Sequence, residues 1–169
     1  MSMLDHDLEL EVRRRCSERD QIVLTGDDFH FCSLMEGAGT TPTRSVPLGD
    51  RQIPTGDFSH ALLGVLDAVA VPAGRALRHL AVGDVEGYRR WMEPCEKYGQ
   101  KVFEAPTHLY KAGLAFTSWL NGHQRQPLLL DRIDLDRDLD HLLDVARLAS
   151  KAGAIVDAGV AAERIELMM

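Results

Sequence analysis

The stretch Gln21-Ile22-Val23-Leu24-Thr25-Gly26-Asp27-Asp28 is a β-rich apolar run cut off by a glycine and two acids. A short continuous apolar run bounded by turn residues is the pattern of a buried strand. In parallel α/β folds the C-terminal ends of the strands face the functional site. Thr25, Gly26, Asp27 and Asp28 stand at that end. The Thr25 hydroxyl and the paired carboxylates could orient a polar substrate or feed a proton relay. The competing reading is a plain strand-to-helix turn, with Gly26 supplying an unusual φ and Asp27 or Asp28 capping the next helix.

Outward from this strand the pattern is helical. Leu4, Leu8, Val12 and Cys16 recur every four residues, with acids before them and Arg13-Arg14-Arg15 behind, which complements a helix dipole. The three arginines read as a solvated last turn rather than an anion site. Phe29 to Glu36 reads as a short helix. Residues 37–56 are rich in Gly and Pro without helical periodicity, and read as a long loop. Its Gly37-Ala38-Gly39 lacks the third glycine of a dinucleotide fingerprint.

Beyond the loop, Asp57 can cap a helix carrying Phe58, Leu62, Val65, Leu66 and Val69 on one face. Pro72 ends or restarts it, and Pro94 must kink or break the following helix. Further helices are expected over about 107–121, along Leu135 to Ala149 and from Val160 to Leu167. The expected fold class is mostly α with one to three short strands. The chain divides in sequence order into 1–56, holding the strands and the linking loop, and a helical region over 57–169, together one compact unit.

The chain has 169 residues. A chain of this size buries about 70% of its unfolded surface, enough for one core. A whole (β/α)₈ barrel, at about 250 residues, does not fit. Lys and Arg number 19 against 26 acids, a net charge of -7. That balance disfavours generic binding of nucleic acid or an anionic membrane. No apolar run approaches the length of a membrane span, and the acidic start is no signal peptide. Three cysteines without a Cys-x-x-Cys pair argue against a disulfide framework and a cysteine zinc site, and fit a reducing cytoplasm.

The seven histidines are scattered, with no His-x-His or His-x₃-His pair. No metal and no cofactor are expected, although Asp27, Asp28 and His30 could serve a small metal-dependent hydrolase. Lys111 sits in an apolar helical stretch, where a desolvated lysine could act as a Schiff-base nucleophile. The bland alternative is a lysine that snorkels or caps carbonyls.

Several ordered segments resemble a branch of the dihydrodipicolinate synthase-like proteins, relatives of N-acetylneuraminate lyase among the class I aldolases. They are Ser2-Met3-Leu4-Asp5, Arg13-Arg14-Arg15, Leu24-Thr25-Gly26-Asp27-Asp28-Phe29 and Ser59-His60-Ala61-Leu62-Leu63-Gly64-Val65-Leu66-Asp67-Ala68. Phe103-Glu104-Ala105-Pro106-Thr107, Tyr110-Lys111-Ala112-Gly113 and Trp119-Leu120-Asn121-Gly122-His123-Gln124 complete the series. The resemblance implies the C-terminal part of a (β/α)₈ barrel plus a helical extension. The family's chemistry is imine formation between a lysine and a 2-keto acid. On this resemblance Ser2 to Leu4 is the end of strand six and Gln21 to Thr25 is strand seven. Ser45 to Leu48 is the only candidate for strand eight. The family lysine falls at or just before Met1, so the catalytic set here is incomplete and Lys111 is a weak substitute. Thr25, Gly26, Asp27 and Asp28 become pocket residues. Exposed barrel edges imply a homo-oligomer or association through those edges. A non-enzymatic helical module that self-associates or pairs with an N-terminal half is the alternative.

Overall fold

The computed structural model describes residues 5–127 and 137–169. Ser2 to Leu4 and Leu135, assigned above to a strand end and to a helix, lie outside the described residues. The described chain is mostly helical, with seven α-helices and four short strands. It forms two compact units that interleave in sequence instead of dividing at residue 56. One comprises Met1–Gly64 and Arg75–Glu93, the other Val65–Gly74 and Pro94–Met169.

In the first unit, helix α1 (His6–Ser17) starts where Asp5 accepts a hydrogen bond from the Leu8 amide at 3.0 Å. Its acids-first, bases-last order is as expected, but the buried face is not. Leu8 is exposed, and the one fully buried residue of the helix is Glu9. Strand β1 is shorter than the apolar run suggests, spanning Leu24–Thr25, and pairs in parallel with β4 (His60–Ala61). The ladder continues through His60 N to Val23 O at 2.8 Å and Leu62 N to Thr25 O at 2.9 Å. Helix α2 (Phe31–Thr40) lies between the two strands in sequence and packs against β4.

Two expectations are overturned here. Residues 37–56 are not a loop: α2 runs on to Thr40, and β2 (Arg44–Leu48) and β3 (Arg51–Thr55) form an antiparallel hairpin. Gly49, at φ 60°, supplies the left-handed residue its two-residue turn requires. Pro47 and Pro54 hide the strand pattern, yet both are tolerated because every strand of a two-stranded ribbon is an edge. Ser45 to Leu48 therefore pairs with Arg51–Pro54, and the strand beside β1 is His60–Ala61. The second overturned expectation is the helix from Asp57. Its backbone is committed to β1, and α3 (Leu66–Leu80) begins only at Leu66.

Helix α3 kinks at Val69 (φ −114°, ψ 22°), three residues before Pro72, whose ring clashes with the preceding turn. Helix α4 (Val85–Val102) runs through Pro94 unbroken. The first unit's core holds Phe31, Leu34, Tyr88 and Met92, with no side-chain surface left to solvent, and Tyr88 donates to the Cys32 carbonyl at 2.7 Å.

In the second unit a 3₁₀ turn (Thr107–Leu109) after a cis Ala105–Pro106 bond leads into α5 (Tyr110–Leu120), which packs on α6 (Leu139–Lys151) and α7 (Ala158–Glu166). Asp138 and Asp157 cap α6 and α7. Gly153, at φ 74°, ends the α6 segment as expected. Buried Tyr98 donates to Thr117 at 2.8 Å, and Thr117 donates onward to the Gly113 carbonyl at 3.0 Å. The Asn121 amide acts as a strand substitute. Its Nδ2 donates to the Ala154 carbonyl and its Oδ1 accepts from the Val156 amide, each at 2.8 Å. Arg137 donates to the carbonyls of Glu104, Ala105 (3.2 Å) and Pro106 (3.1 Å).

Candidate functional site

The C-terminal end of β1 leads through Gly26, which is not in the left-handed region expected of it, into the residues ahead of α2. Asp27, which is 1% exposed, organises that turn. Its Oδ1 accepts from the amides of Phe29 at 2.8 Å and His30 at 3.2 Å, and its own amide donates to Thr25 Oγ1 at 3.1 Å. Part of the strand-to-helix reading is thus correct: Asp27 is bound to backbone near the start of a helix. Its second oxygen is used differently. Oδ2 lies 2.9 Å from His30 Nδ1.

His6, in the first turn of α1, brings its ring to a centroid distance of 4.6 Å from the His30 ring, tilted by 41°. His6, Asp27 and His30 each place one ligand-type atom within 4.8 Å of the others. Both histidines are half-buried, and His6 Nδ1 is buried with no hydrogen-bond partner among the described residues. One turn along the same helix, both oxygens of buried Glu9 are likewise without a partner. Burying polar atoms in this way is unfavourable unless something satisfies them.

Of the residues singled out from sequence, Thr25, Gly26, Asp27 and Asp28 share the β1 turn, and Thr25 and Asp28 are buried with Asp27. The three-residue group has His6 where the hydrolase reading used Asp28. Lys111 is elsewhere, exposed on α5 in the second unit. An amine standing in water has none of the desolvation that a Schiff-base nucleophile needs.

His6 was missed because nothing in its own neighbourhood announces it. It stands 21 positions from Asp27, and only the fold joins them. The available signal was positional. His6 opens α1 and His30 caps α2, so each stands at the start of a helix.

Other candidates are structural. Arg13 pairs with Asp57 at 2.8 Å, while Arg14 and Arg15 are held by Glu11, and Arg14 also by Glu18. The two guanidiniums on Glu11 hold its carboxyl down at about 2. Gly37 and Gly39 cradle no phosphate. A Cβ at Gly37 would meet the Asp57 carbonyl oxygen at 2.3 Å, and one at Gly39 would meet Leu80 Cδ1 at 2.6 Å. They are glycines because neighbouring chain passes too close for anything larger. A hollow of about 340 Å³ is lined by Arg75, Arg78, His79 and Trp91. Arg75 lies 4.9 Å over the Trp91 ring and His79 is 2.8 Å from Asp84, so three of the four lining side chains already have a neighbour.

All three cysteines are free, and no helix among the described residues is long and apolar enough to cross a membrane. No curated protein matches the chain. One family does, across residues 1–169, under the description "Protein of unknown function (DUF993)". The chain belongs to the DUF993 family.

Proposed function

We infer that this chain is the late-strand portion of a dihydrodipicolinate synthase-like, Schiff-base barrel protein acting on a 2-keto acid. Its share of the pocket is the wall built by Thr25, Gly26, Asp27 and Asp28. The support is the β1–α2–β4 unit. Two adjacent parallel strands joined through a helix are the repeating element of such a barrel. The polar residues follow the C-terminal end of β1, the end where barrel enzymes build their sites. Among the described residues β1 and β4 have no other strand beside them, so each keeps an open edge that a closed barrel would fill.

The nucleophile in this reading lies in barrel strands that the chain does not contain. Lys97, Lys111 and Lys151 are exposed. Lys101 is bound by Glu104 at 2.7 Å and Asp144 at 3.4 Å, with Glu104 chiefly raising its pKa, the opposite of what imine formation requires. The chemistry calls for no bound cofactor.

Borohydride reduction in the presence of pyruvate, read by intact mass, tests this. The 169-residue chain should give no stoichiometric adduct. A polypeptide extended in frame with the upstream coding sequence should gain one, on a lysine preceding His6. Failure of the extended polypeptide to trap pyruvate would remove the aldolase assignment. Absence of any upstream coding sequence would favour the self-associating module instead.

A further inference from the structure

We propose that His6, Asp27 and His30 form a binding site for a divalent transition-metal ion of the zinc class. The inference does not depend on the aldolase reading. Two imidazoles and one carboxylate are a donor set for zinc and its neighbours, and three protein ligands leave room for water or a substrate oxygen.

Four observations converge on the group. The three donor atoms already lie within 4.8 Å of one another. Ligands at about 2.0–2.2 Å from one ion stand roughly 3–3.5 Å apart, so closure takes a modest swing of a ring. Both rings are half-buried and His30 is 44% exposed at its side chain, which leaves them that freedom. The third ligand needs no movement, because two backbone amides fix Asp27 through Oδ1 and leave Oδ2 facing His30.

The second observation is the unpartnered, buried His6 Nδ1. A neutral imidazole offers a lone pair on one nitrogen, and a metal ion would satisfy it. The third is charge. The starts of α1 and α2 contribute about half a positive charge each, which alone would repel a cation. Against that stand Asp27 at the group and Glu9 one turn along α1, both carboxyls buried and the latter unpaired. The fourth is rigidity of placement, since the ligands come from helix starts and a strand end rather than from a free loop. When the ion binds, the hydrogen bond between His30 Nδ1 and Asp27 Oδ2 is replaced by two metal bonds, and the neutral imidazole carries its proton on Nε2 instead of Nδ1, exchanged through solvent.

The test uses the whole chain, stripped with a chelator and titrated with Co²⁺, whose visible absorption reports a site of low coordination number. Zn²⁺ should compete for the same site at one ion per chain. His6→Gln and His30→Gln should each weaken cobalt and zinc binding by about 100-fold or more, as loss of a ligand does. His123→Gln, at an exposed position of the second unit, should leave it unchanged. Circular dichroism of the two ligand variants would establish that they remain folded, and Asp27 is left intact because it also holds the turn. A spectrum and affinity unmoved by both substitutions, or no cobalt absorption at large excess, would overturn the site. Neither result touches imine trapping, so the two proposals fail separately.

Discussion

Gly37 and Asp57 pass so close that a Cβ on the glycine would sit 2.3 Å from the aspartate's carbonyl oxygen and 2.9 Å from Phe58 Cβ. Backbone cannot turn aside as a flexible side chain can. Gly37→Ala should therefore destabilise the first unit by about 1–3 kcal/mol despite alanine's better helix propensity. Gly39→Ala should cost less, because its nearest neighbour is the tip of Leu80. Urea unfolding of the two variants would show whether that order holds.

Asp57 is also the partner of Arg13, whose Nε donates to it at 2.8 Å and whose Nη1 reaches the Leu34 carbonyl at 3.4 Å. The guanidinium is mostly buried while Asp57 is 44% exposed, so solvent screens the pair. Arg13→Ala should destabilise by about 1–2 kcal/mol, more than Asp57→Ala, since it removes a packed side chain as well as the charge. A double-mutant cycle would isolate the ion-pair share, which should stay near 1 kcal/mol or below.

Cys95 is fully buried, and desolvation pushes its thiol up to about 12. Cys32 is buried as well, whereas Cys16 lies half-buried on α1. A thiol reagent at neutral pH should label one cysteine of the native chain, Cys16, and all three after denaturation. Rapid labelling of Cys95 in the folded protein would contradict the packing around α4.

His141 is buried on α6, and burial, helped by the charges of Arg137 and Lys101, holds its pKa below the ordinary 6.5. The unfolded chain binds that proton at higher pH than the folded one. Stability of the second unit should then be complete above about pH 6.5 and fall as pH drops from there toward the folded pKa. Glu104 and Asp144 add a further loss at lower pH, below the ordinary carboxylate values of 4.5 and 3.8, because both are held low in the fold. His141→Gln should flatten the upper part of that profile and leave the lower part in place, as read by thermal melts across pH.

Leu24 is 59% exposed on β1 and Leu62, just past β4, is 72% exposed. Among the described residues no further strand flanks β1 or β4, and exposed leucines beside open strand edges favour association. Sedimentation should detect self-association of the chain at high concentration, and Leu24→Lys should shift it toward monomer.

Helix was readable from spacing in α6 and α7, with Gly153 between them, but a matching cap and spacing misled at Asp57, where residues 60–62 bond to β1 instead. The hairpin was not, because Pro47 and Pro54 look like loop residues until one knows that the ribbon has no central strand. The α1 stripe of Leu4, Leu8, Val12 and Cys16 has sound helical spacing, but which face is buried depends on neighbours that no spacing names. The candidate site was half legible. Asp27 and His30 belong to one turn and can be picked out together, whereas His6 reaches them only through the packing of α1.

Asn121 precedes Gly122, a pair prone to lose ammonia when the glycine amide attacks the asparagine side chain. Here both ends of that side chain are held, to Ala154 and Val156, and the Gly122 amide donates to the Trp119 carbonyl at 2.9 Å. Folding thus keeps nucleophile and electrophile apart. A chain that has spent time unfolded would carry aspartate or isoaspartate at 121, with a carboxylate in place of the amide that donates to the Ala154 carbonyl. Chemical ageing at this one position would therefore record the protein's history of unfolding.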